Sequence, residues 1–132
     1  MPFRLPKPLS PQAHRRFDTL AAPGLLAAAA LMARRDPPAA ALMAMVAAGE
    51  GTAMLFTDYP PPVLSRWLSF RQHIAVANLH AGFIAALALF TPGVQRRHRP
   101  LLLGLAGVPL LLNALSRTAG DEQEQTGLRS SA

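Results

Sequence analysis

The chain predicts an all-α fold, a four-transmembrane-helix bundle, and three observations carry that reading. Of 132 residues, 51% are hydrophobic and 15% charged, against roughly 25% charged in an average soluble domain. The charges crowd into two tails and three short connections, leaving four long apolar gaps. Those gaps lack the recurring polar face of a soluble amphipathic helix, which points to lipid or protein on all sides. The length allows one domain.

Residues 1–16 form a basic, Pro-rich N-terminal arm, expected to be extended because four prolines in eleven positions oppose a continuous helix. The membrane domain is expected over 17–116. Its first apolar run, from Phe17 to Ala33, is mostly Ala and Leu, with Asp18 at its mouth as a helix cap and Pro23 in its first turns. Arg34 to Pro38 then turns the chain. The second run, 39–57, holds one ionisable group, Glu50. An acid at mid-depth costs about 2.5 kcal/mol or more, so Glu50 is expected to face the bundle interior and have a partner. Gly49, Gly51 and Ala53 beside it let a neighbouring helix come close.

After the turn Asp58-Tyr59-Pro60-Pro61-Pro62, the apolar positions Val63, Leu64, Trp67 and Leu68 alternate with Ser65, Arg66 and Ser69. This spacing predicts a short interfacial helix between the second and third spans, with Tyr59 and Trp67 as anchors at headgroup level. The third run, about 72–91, sets His73, Ala77, His80 and Ile84 on one face. Glu50 and His80 lie eight or nine residues from the same turn, roughly 12 to 14 Å of helix. They are therefore expected at matching depth and hydrogen-bonded across the second and third helices. Glu50, His80, His73, Asp18 and Asn78 together make the candidate intramembrane polar site. Pro92-Gly93 ends the third helix, and the fourth run, 100–115, carries Asn113 and an internal Pro109. The tail 117–132, with Asp121, Glu122 and Glu124, reads as disordered.

The two halves fall in step as two two-helix repeats. His14 with Asp18 matches His73 with Ala77, and Gly49-Glu50 falls against Ala106-Gly107. Two helices per repeat give both halves one orientation, about an axis along the membrane normal. On His14-Arg15-Arg16-Phe17-Asp18, Gly49-Glu50, Leu55 to Pro60 and Phe70-Arg71-Gln72-His73, the chain resembles the SPW-repeat family of small bacterial integral membrane proteins. Phe90-Thr91-Pro92 and Arg35-Asp36-Pro37 stand where that family has Ser-Pro-Trp. The resemblance implies a four-helix membrane fold and no particular activity.

The absence of cysteine excludes disulfides, thiolate metal sites, iron–sulfur clusters and thiol redox chemistry. The net charge of +6 flanks apolar runs instead of striping a folded face, which favours anionic lipid headgroups over nucleic acid. No nucleophile–base pair, phosphate loop or metal-ligand cluster is apparent, so an enzyme is not expected. The first expectation is a structural or accessory subunit with other membrane proteins as partners. The alternatives are a proton-linked carrier or relay using Glu50 and His80, or a binder of haem or bacteriochlorophyll through His80, where Ala81 and Gly82 leave room for a flat ring. Lys and Arg favour the N-terminal arm, the 58–71 connection and the tail, with eight of the thirteen in those segments. The positive-inside rule then sets both termini in the cytoplasm of an inner-membrane protein. Reporter fusions at either end should report the cytoplasm, and a periplasmic signal would reverse the topology.

Overall fold

A computed structural model describes residues 7–58 and 64–118. The anchor Tyr59, the prolines that follow it, residues 1–6 of the arm and the tail from residue 119 lie outside the described residues. Four helices make up the described chain: α1 Pro11–Met32, α2 Pro37–Leu55, α3 Phe70–Phe90 and α4 Arg99–Leu115, the last entered through one 3₁₀ turn, Arg96–His98. Three stretches, Pro37–Leu55, Phe70–Phe90 and Arg96–Leu115, are long and apolar enough to cross a membrane, with mean hydropathies of 1.3, 1.7 and 1.3. The first helix is not among them, because its opening turns carry Arg15, Arg16 and Asp18. Among the described residues there are thus four helices, three of them long and apolar enough to span.

Helix boundaries follow local chemistry. The first helix starts six residues before the expected Phe17. Ser10 caps it by accepting from Ala13 N–H at 3.2 Å, and Pro11 occupies the first turn, where its missing N–H costs nothing. The arm's last proline therefore starts a helix instead of preventing one. Asp18 is not the cap: it lies two turns inside. Pro23, expected in the first turns, falls mid-helix and removes the N–H that Thr19 C=O would accept. The third helix begins with a capping box in which Ser69 and Gln72 satisfy each other's backbone N–H.

The expected interfacial helix does not form among residues 64–69. Leu68 instead spends its backbone on α2's exit: its N–H donates to Phe56 C=O at 2.9 Å and its C=O accepts from Asp58 N–H at 2.8 Å. Those bonds hold the segment extended, in a parallel bridge of Thr57 with Leu68. Trp67 stacks on Phe56, ring centroids 5.0 Å apart, and is 76% exposed. The same bridge recurs between Leu9 and Ser116, where Leu9 donates to Leu115 C=O and accepts from Arg117 N–H. Both ends of the helical body therefore sit side by side.

The residue distribution is inverted relative to a soluble bundle. Buried apolar residues are mostly alanines, among them Ala22, Ala29, Ala39, Ala47, Ala77, Ala81, Ala88 and Ala106. Leu20, Leu31, Leu79 and Phe90 are each at least 75% exposed. Small inward residues let α1 pack along α2, α3 along α4, and α2 along α3. Larger side chains, Leu42, Met43 and Leu102, fill the end near the 33–38 and 91–98 turns.

One carboxylate ties those two turns. Asp36 Oδ1 accepts from Ala39 N–H at 3.1 Å and caps α2. Its Oδ2 accepts from Gln95 N–H at 2.9 Å and lies 2.7 Å from His98 Nδ1, while Gln95 Nε2 donates to Arg35 C=O. Gly93, at φ +87°, makes the reversal that brings Gln95 round. Burial alone raises the Asp36 pKa, but the hydrogen bonds from His98, Gln95 and Ala39 outweigh it and hold the carboxyl below the usual range. Its stabilisation is thus complete above the ordinary carboxylate pKa and fades as pH falls through the lower folded value. Asp36→Ala should cost roughly 3 kcal/mol, since a cap is lost and buried donors are orphaned. Unfolding in detergent followed by circular dichroism measures this, and the variant's stability should fall less steeply with acid than the wild type's.

Candidate functional site

At the end opposite Asp36, two helices bring two imidazoles to one carboxylate. His14, one turn into α1, and His73, one turn into α3, each follow their capping serine by the same interval. Asp18 stands one turn beyond His14 on the same face of α1. Its Oδ2 lies 3.4 Å from His14 Nε2 and 3.4 Å from His73 Nε2. All three side chains are buried. The two rings meet edge to face with centroids 5.3 Å apart, and Phe70 walls the group off, stacked on His73 and edge-on to His14.

Hydroxyl groups fix which ring nitrogen faces the acid. Thr57 Oγ1 donates its one hydrogen to Ala53 C=O at 2.6 Å, so toward His73 Nδ1, 3.0 Å away, it can only accept. Ser116 Oγ likewise donates to Leu112 C=O at 2.8 Å and accepts from His14 Nδ1 at 2.7 Å. Both imidazoles therefore carry hydrogen on Nδ1 and aim Nε2 at Asp18. This constellation was only partly expected. Asp18 and His73 were in the predicted site, whereas His14, Thr57 and Ser116 were not. The recurrence of Ser-x-x-x-His at Ser10 and Ser69 was the sequence signal that could have placed His14 beside His73. No cluster of metal-ligand residues was expected either, yet one ligand atom from each of His14, Asp18 and His73 lies within 4.8 Å of the others.

The other expected site residues divide. Glu50 and His80 do face one another across α2 and α3, but at 3.9 Å between Oε1 and Nδ1, beyond a hydrogen bond. The expected bond is not made, and Glu50 Oε1 is buried with no hydrogen-bond partner. His80 lies over Gly49, where an added Cβ would collide with its ring. Asn78 is elsewhere: its Oδ1 accepts from Asn113 Nδ2 on α4 at 2.7 Å, because it sits on the α4-facing side of α3.

Two cavities meet at Glu50. One, of about 480 Å³, runs between α1, α2 and α4. It is lined by Phe17, Leu20, Leu25, Leu105, Val108 and Leu112, with His14, Asp18, Glu50 and Asn113 as its polar groups. The other, of about 520 Å³, is a groove between α2 and α3 that reaches His80. Glu50 thus joins an apolar cleft that reaches His14 and Asp18 to the groove that holds His80. No protein-family model, curated protein or solved structure matches the chain.

Glu50→Gln has no hydrogen bond of Oε1 to lose, so in unfolding from detergent it should cost less than the roughly 0.6 kcal/mol that an interhelical hydrogen bond contributes in a membrane bundle. Gly49→Ala should push the His80 ring out of the groove. A double-mutant cycle between positions 50 and 80 should then read no coupling in the Gly49→Ala background, and undiminished coupling there would contradict the close approach.

Proposed function

We propose that this is a small integral membrane protein of the bacterial inner membrane, acting as a structural or accessory subunit of a larger membrane complex. The observation that carries the reading is the inverted distribution of side chains. Leu20, Leu31, Leu79 and Phe90 project outward, where water would penalise them and lipid or a partner helix would not. Alanine and the polar groups occupy the interior. In this reading α1 is the fourth span, with Arg15 and Arg16 at headgroup level. The matching interval between Leu9, Ser10, His14 and Ser116 on one side and Leu68, Ser69, His73 and Thr57 on the other supports two two-helix repeats, in keeping with the SPW-repeat resemblance. That register sets Glu50 against Pro109, two positions on from the Gly107 to which sequence alone aligned it.

A second reading, a proton relay, draws on one observation. Glu50 borders both the α1–α4 cleft and the groove of His80, and an ionisable group joining two cavities inside a membrane is positioned for transfer. Alkaline carbonate should leave the protein in the membrane fraction, and release by carbonate would end the membrane reading. In native gels from mild detergent it should run with a complex several times its own mass. Migration as a lone chain would remove the subunit role and leave the relay.

A further inference from the structure

We infer that His14, Asp18 and His73 form a binding site for a divalent first-row transition metal of the zinc class, with an open coordination position facing the α1–α4 cleft. The inference goes beyond the membrane reading, since the site lies inside the bundle whether or not the bundle is a subunit.

The argument begins with the tautomers. With both Nδ1–H groups committed to Thr57 and Ser116, neutral imidazoles turn their Nε2 lone pairs toward Asp18. Lone pairs facing a carboxylate repel unless something positive lies between them. A proton shared with Asp18 would draw nitrogen and oxygen to roughly 2.7–2.9 Å, the length of a charge-assisted hydrogen bond. Both separations are instead 3.4 Å, and Asp18 Oδ2 is buried without a hydrogen-bond partner. A tetrahedral ion with ligand bonds of about 2.0–2.1 Å spaces its ligand atoms at about that distance.

The donor set and its surroundings agree with this. Two imidazole nitrogens and one carboxylate oxygen suit zinc and its first-row neighbours better than calcium or magnesium, which take oxygen ligands. Each metal-binding histidine ordinarily has its second ring nitrogen held by an acceptor that fixes orientation. Thr57 and Ser116 do this here, and their own hydrogens are in turn spent on Ala53 and Leu112. Three protein ligands leave a fourth position. His14 and Asp18 both line the cleft, so water or a small ligand head reaches that position from there. Glu50 in the same cleft supplies a further carboxylate to offset the ion's charge.

The test uses tag-free full-length protein in detergent, stripped with a chelator and titrated with Zn²⁺ by calorimetry and with Co²⁺ by visible absorption. One ion per chain should bind, and Co²⁺ should show the intense bands of four-coordinate geometry. Asp18→Asn and His73→Gln should weaken Zn²⁺ binding by roughly a hundredfold or more, since each removes a ligand. Thr57→Val and Ser116→Ala keep every ligand and should weaken it by roughly ten- to a hundredfold. Zn²⁺ should raise the Tm of the wild type and leave that of Asp18→Asn unchanged. If Asp18→Asn does not melt cooperatively, the Thr57→Val and Ser116→Ala pair decides. No saturable binding by the wild type would overturn the site, as would equal binding by the hydroxyl variants or loss of binding only in His80→Gln or His98→Gln.

Discussion

Polar groups sealed inside an apolar bundle must find their partners within it, and the two ends of this molecule are arranged around that constraint. At one end Asp36 collects hydrogen bonds from α2 and from the 3₁₀ turn before α4. At the other, Asp18 stands between imidazoles from α1 and α3, and each imidazole is held by a hydroxyl just past the end of α4 or α2. The middle between these clamps is mostly alanine and offers little bulk to set helix register. Register is therefore specified at the ends, by directional bonds. A buried acid is worth keeping in such a bundle because a one-residue slip of any helix would strand it, at a cost larger than any alanine contact.

The two clamps differ in completeness. Asp36 has every lone pair that matters matched to a donor, and its site reads as architecture. Around Asp18 and Glu50 the matching stops short, with one buried oxygen on each left without a hydrogen bond. Both open into the same apolar cleft. An unmatched carboxylate at Asp18 and a fully matched one at Asp36 separate the part of the bundle that holds the fold from the part available for chemistry.

Much of the fold was legible in the sequence, because proline, glycine and charge punctuate the chain at 34–38, 58–62 and 92–93, and the helices end there. What sequence reading missed came from groups whose roles depend on long-range partners. The prolines of the arm obscured the start of α1, although Ser10-Pro11 is itself a helix-start signal. With α1 begun late, His14 stayed in the arm and Asp18 became a cap, so only half of the histidine pair entered the expected site. The apolar spacing around Trp67 looked helical, yet the bridge of Leu68 with Thr57 claimed its backbone. Glu50 and His80 were rightly brought face to face by depth. The separation between them was not readable, because it depends on how the His80 ring rides over Gly49.

The two parallel bridges have a topological consequence. Leu9 runs beside Ser116 just as Leu68 runs beside Thr57, so the backbone is one loop short of a closed ring of four helices. A loop like that joining Thr57 to Leu68, placed between residues 118 and 7, would complete the ring, and the chain could then be opened at 59–63 instead. Every hydrogen bond described above would survive such a circular permutation. In this bundle the order in which the helices are written along the chain matters less than which ends are neighbours.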